Sequence, residues 1–153
     1  MSDSDLHNVD ARRGPSASQA AGLTLAAARR AIEAVERLAI EMRVAMSVAI
    51  VDSGDQLVAF VRMDAADLVG IGLARDKAFT ALVNRMPTRD LAPLVQPGAE
   101  FYGYDSLAGG RMVVFAGGIP IERGGVLIGA IGVSGGSSDE DQRAAEAGVT
   151  AVG

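Results

Sequence analysis

Gly117-Gly118-Ile119-Pro120-Ile121, followed by Gly129-Ala130-Ile131-Gly132-Val133-Ser134-Gly135-Gly136, places glycines densely inside strand-like apolar runs. Glycine weakens a strand and leaves no side chain to pack, so it marks a bulge, a bend or a close approach of another backbone or a ligand. A ligand, a partner subunit or a tightly packed closing helix each satisfies that requirement. Arg111–Ala116, Ile119–Arg123 and Val126–Ser134 read as three strands here, the last two joined at Gly124-Gly125. Ser138, with Asp141 three residues on, has the pattern of a helix start running toward Val152.

Upstream, Met46–Asp52 and Gln56–Arg62 are apolar and rich in β-branched residues, and Asp52-Ser53-Gly54-Asp55 between them favours a reversing turn. Thr24 is a candidate cap for a helix whose apolar face runs Leu25, Ala28, Ile32, Val35, Ala39, Met42. Asp67–Arg85 returns to helical spacing and stops at Met86-Pro87, because a residue before proline avoids the helical region. Thr88 can cap a short further helix to Val95, and Gln96–Gly110 is read as a long loop with Phe101, Tyr102 and Tyr104 in it. The order α-β-β-α-α-β-β-β-α excludes a doubly wound parallel sheet and predicts an α+β domain: helices on a five-stranded antiparallel sheet. Residues 1–22 show no apolar period and read as a flexible N-terminal arm, leaving 23–153 as a single domain.

The chain has no cysteine, so disulfides, thiolate metal sites and cysteine nucleophiles are excluded. Its net charge of -5 argues against a nucleic-acid partner. The mean hydropathy is +0.25, yet neither Gly14–Ala28 nor Val126–Ser138 approaches the roughly 20 apolar residues of a membrane span. The acidic Met1-Ser2-Asp3-Ser4-Asp5 lacks the pattern of a secretory signal, and a cytoplasmic protein without a membrane partner is expected. Lys77 is the only lysine and His7 the only histidine. A serine triad around Ser134 lacks a base unless His7 folds inward, and no phosphate-loop element follows the glycines.

Five ordered motifs carry a family resemblance: Val51–Phe60, Arg62-Met63-Asp64, Lys77-Ala78-Phe79-Thr80-Ala81, Gly117–Ile121, and Gly129–Gly136 with Asp139 and Asp141. Over residues 23 to 152 the chain resembles the GlcG/HbpS family. The resemblance implies a profilin-like α+β domain with a five-stranded antiparallel sheet that assembles into homodimers or larger oligomers. It implies no single activity, since such domains occur beside glycolate-utilisation genes, as secreted haem-binding proteins, and as the C-terminal domain of PduO-type cobalamin adenosyltransferases.

From the residues, Arg62 at a strand end and Lys77 in the following helix are expected to reach one cavity beside the glycine-rich strands. Arg62 would orient a carboxylate through its planar fork, and Lys77, its pKa lowered by burial, would act as acid or base. Arg62 also has Asp64 or Asp67 as an ordinary ion-pair partner, and Lys77 has Asp76. Thr80 shares the Lys77 face, Tyr104 can close over a ligand, and Asp64, Gly117, Gly118, Pro120, Ser134 and Gly135 complete the candidate binding set. Asp139 and Asp141 are read as favouring the helix amino terminus; no metal site is expected. This describes a pocket for a small organic acid, open to a cofactor-independent proton transfer, isomerisation or lyase step. The alternatives are a haem or tetrapyrrole binding or degradation protein, for which His7 lies in the arm and Met42, Met63 and Met112 read as packing residues, and a non-catalytic accessory subunit.

Overall fold

The computed structural model describes residues 22–153. The arm expected at 1–22, with His7, lies outside the described residues apart from Gly22. Helix α1 (Leu25–Met42) begins where Thr24 accepts the Ala27 N–H, and it ends at Arg43, whose φ of 60° breaks the helical path. Strands β1 (Ser47–Asp52) and β2 (Leu57–Arg62) form the expected hairpin. The Asp52 carboxylate organises its turn by accepting the Gly54 and Gln56 N–H groups. Helix α2 (Val69–Asn84) stops at Arg85, at φ 53°, just before Met86-Pro87. The chain then makes α3 (Thr88–Leu91), a 3-10 turn (Ala92–Val95), a second 3-10 turn (Tyr104–Ser106) and a single broken turn, α4 (Leu107–Gly110). Strands β3 (Gly118–Arg123) and β4 (Val126–Ser134) form a second hairpin, and α5 (Ser138–Val152) closes the domain.

The sheet is antiparallel with four strands in the order β2-β1-β4-β3, not the five expected. Arg111–Ala116 is not a strand, and the reason is where its backbone groups find partners. The Thr80 hydroxyl bonds to the Arg111 carbonyl at 3.1 Å and accepts the Val113 N–H at 2.9 Å. The Thr88 hydroxyl donates to the Phe115 carbonyl at 2.7 Å. Side chains of α2 and α3 thus satisfy backbone groups that a ladder would otherwise take. The same use of Thr88 removes it as a cap: α3 has Pro87 in that position and no capping side chain. At α5 the cap is Ser137 rather than Ser138, in a reciprocal box with Glu140. The segment read as a plain loop, Gln96–Gly110, holds the Tyr104–Ser106 and α4 turns.

Alternation along β1 and β4 divides the core. Val48, Ile50, Ile131 and Val133 face α1 and α5, while Val51 and Ala130 face Ala78, Ala81 and Leu82 of α2. Two of the dense glycines, Gly118 and Gly132, belong to the second face. A Cβ on Gly132 would collide with the Ala74 carbonyl, and one on Gly118 with the Lys77 carbonyl. The close neighbour at these two positions is the backbone of α2, rather than a ligand, a partner or the closing helix. Pro120 sits on β3, an edge strand, where its missing N–H costs no ladder bond on the open side. No helix among the described residues is long and apolar enough to cross a membrane.

Candidate functional site

Seating α2 on the glycines of β3 and β4 carries Lys77 into the interior. Its side chain is fully buried, and Nζ donates to the Val133 carbonyl at 2.9 Å and to Asp141 Oδ2 at 2.6 Å. Nζ also lies 5.1 Å from the centre of the Phe115 ring, within cation–π range. The other Asp141 oxygen accepts the Gly136 N–H at 2.9 Å, so the pair ties α2, β4 and the first turn of α5 together. Burial pushes the Lys77 ammonium below its ordinary pKa against the attraction of Asp141. Burial likewise pushes the Asp141 carboxyl up, opposed by Lys77 and the glycine N–H groups. Lysine is therefore neither exposed nor paired with Asp76, which instead binds Arg111 at 2.9 Å.

Asp141 forms part of the wall of a cavity of about 240 Å³ with Ser134, Gly135, Gly136, Phe115 and Gly70. Of the residues selected from sequence, Ser134 and Gly135 line it. Lys77 stands behind Asp141, and Gly117 and Gly118 are buried near the Lys77 side chain and carbonyl. Arg62 is elsewhere: exposed, it donates to the Ala66 carbonyl at 3.3 Å, with neither Asp64 nor Asp67 as its partner. Neither Arg62 nor Asp64 lines this cavity. Thr80 is buried and spends its hydroxyl on Asp76, Arg111 and Val113 backbone groups. Ser47, the cross-strand neighbour of Ser134, carries a buried hydroxyl without a hydrogen-bond partner among the described residues.

A second cavity, about 310 Å³, opens beside the carboxyl end of α2. Asn84, Met86, Leu91, Leu94, Phe101 and Tyr104 line it. The Asn84 amide nitrogen donates to the Thr80 carbonyl at 2.8 Å, which turns its oxygen toward the Tyr104 hydroxyl, 2.5 Å away. The phenol is thereby held as a wall, its ring 6.2 Å from that of Phe101. Of the residues on these two cavity walls, Tyr104 was legible in the sequence, Asp141 was read there only as favouring the helix amino terminus, and Met86 and Asn84 were not among the candidates. Met86 beside Pro87 was legible only as a helix stop, and nothing local marks Asp141 as the partner of a lysine 64 residues earlier. No group of three or more His, Asp or Glu side chains placed to hold a metal ion occurs among the described residues.

Fold and cavities together define the class: an α+β domain with helices on both faces of a short antiparallel sheet and two pockets flanking α2. The chain belongs to the HbpS-like family, whose description is haem degrading protein HbpS-like and whose match covers residues 23–150. It is 40% identical over 128 residues to the uncharacterized 15.0 kDa protein in the dhaT-dhaS intergenic region of Citrobacter freundii, covering 84% of this chain and 90% of that one. It is 41% identical over 119 residues to the corrinoid adenosyltransferase PduO of Salmonella typhimurium, covering 78% of this chain but only 35% of that enzyme. The crystal structure of a PduOC:heme complex superposes with a TM-score of 0.82 at 36% identity, over 85% of this chain and 94% of that one.

Proposed function

We propose that this chain is a haem- or tetrapyrrole-binding domain that acts as a self-associated subunit. The observation that carries the reading is its likeness, over most of both chains, to a domain solved as a heme complex. The donor set is compatible with the group. Cysteine is absent from the chain and no histidine occurs among the described residues, but methionine and tyrosine also ligate haem iron, and Met86 and Tyr104 both line the apolar second cavity. Bound there, the group would supply iron-centred redox and ligand chemistry, and the protein would supply a largely apolar surround that limits water. Adding haemin should shift and sharpen its Soret band in a saturable way; a spectrum identical to that of free haemin at every protein concentration would overturn the reading.

Self-association is proposed from the surface: Leu68 and Val69, at the start of α2, are 74% and 66% exposed, and contiguous apolar surface favours a symmetric contact. Sedimentation at micromolar concentration should show a species larger than 15.7 kDa; a monomer alone would count against it.

A pocket for an acidic metabolite has less support. Lys77, the cation it was to use, is committed to Asp141, and Arg62 is absent from the cavity wall. The adenosyltransferase activity of PduO is not carried over, because this chain spans about a third of that protein.

A further inference from the structure

Six methionines occur in the chain, and among the described residues only Met86 lines either of the two cavities. Met1 lies outside the described residues. Met46 is fully buried, and Met42 and Met63 pack against the main core. The Met63 sulfur also accepts the Met46 N–H at 3.4 Å, and the Met112 sulfur takes the Asn84 amide at 3.8 Å. Met86 is set apart by its place: it lines the second cavity, and its sulfur has no hydrogen-bond partner among the described residues.

We infer that Met86 is the side chain through which this domain holds the iron of a tetrapyrrole, its thioether presented into the cavity between Tyr104, Phe101, Leu91 and Leu94. This rests on the haem reading given above. The backbone supports it. Arg85 ends α2 with φ 53°, and Pro87 follows at φ -57°; the ring of proline fixes that angle, so Met86 is anchored between two constrained neighbours. The rim supports it too. Phe101 is 45% and Leu94 36% exposed, leaving apolar surface beside the cavity that a planar macrocycle would cover while its carboxylates stay in water. Tyr104 is the weaker ligand, because its hydroxyl is already bonded to an Asn84 oxygen that cannot accept the phenolic proton. A thioether is a soft ligand and favours reduced iron, so binding should strengthen on reduction.

The test is a haemin titration, before and after reduction with dithionite, of the full chain and of Met86→Leu, Met86→His and Tyr104→Phe. Wild type should bind and show the weak sulfur-to-iron charge-transfer band of a methionine ligand in the ferric state. Met86→Leu should lose that band and bind on the order of tenfold more weakly or worse, since even outer-shell partners of a metal are worth that much. Met86→His should bind with the spectrum of an imidazole ligand, and Tyr104→Phe should keep the charge-transfer band. Wild-type binding that Met86→Leu leaves unchanged would overturn the assignment while sparing the haem reading; no wild-type binding would overturn both. If Met86→Leu lacks a cooperative melt, Met86→His decides, and a spectrum identical to wild type would remove Met86 from the iron.

Discussion

The two cavities flank the same helix and are built on opposite principles. The first is organised by a buried ion pair whose members bond to each other, to the Val133 carbonyl and to the Gly136 N–H. The second is walled by apolar side chains around a single neutral hydrogen bond, Tyr104 to Asn84. The difference shows that a rare, buried, charged residue need not be the one free for chemistry. Taking Lys77 and Asp141 out of water is costly, so each is held by the other and serves to fix α2, β4 and α5. The uncharged pocket has no such internal demand on Met86, whose sulfur stays available.

The largest expected effect follows from breaking the pair on one side. Asp141→Ala leaves the Lys77 ammonium buried without a counter-charge and should destabilise the fold by about 3–5 kcal/mol in urea denaturation. Lys77→Ala should be comparably severe, in contrast to the near-neutral outcome of an exposed helix lysine. Replacing both by apolar residues, Lys77→Met with Asp141→Leu, should recover most of the loss. Were Asp141→Ala to melt like wild type, the contrast between the cavities would collapse.

A smaller loss is expected on the other side. Tyr104→Phe removes one partly buried neutral hydrogen bond and should cost about 0.5–1.5 kcal/mol in the same assay. A penalty equal to that of Asp141→Ala would mean that the Gln96–Gly110 segment anchors the fold rather than walling a pocket.

The pH dependence sharpens the first region further. Glu140 is held below its ordinary pKa of 4.5 by the Ser137 backbone N–H, with the Ser137 hydroxyl adding to it. Its folded pKa being depressed, the unfolded chain binds more protons in that window. The contribution is fully present above about pH 4.5 and is lost as pH falls through the folded value. Glu140→Gln should flatten this acid limb of the stability curve, and an unchanged slope would show that the capping box is not its source.

The smallest effect concerns residues 1–20. Among the described residues the buried core begins at Leu23, and the family match begins at the same position, so residues 23–153 are proposed to fold as one unit. Removing 1–20 should leave the denaturation midpoint in place, and a shifted midpoint would extend the unit upstream.

Much of this was legible in the chain. The apolar period of α1, the extent of α2, the Thr24 cap, the Asp52–Asp55 and Gly124-Gly125 turns and the span of β4 are consequences of neighbours within a few residues, which is the range over which capping, turn chemistry and periodicity act. The family was legible because five such motifs keep their order. Arg111–Ala116 shows where local reading ends. Its composition suits a strand, yet Thr80 and Thr88 reach its backbone first, and that competition exists only after α2 and α3 have docked. The sequence by itself determined that this chain has one lysine, no cysteine and six methionines, and so bounded which side chains could bind a metal-containing group. The tertiary structure alone decided their parts: it brought Asp141 to Lys77 across 64 residues of chain, gave Arg62 the Ala66 carbonyl as its partner, and left Met86 facing a cavity. Partner choice in the interior depends on which surfaces pack together, and that is set by the whole core at once rather than by any segment of it.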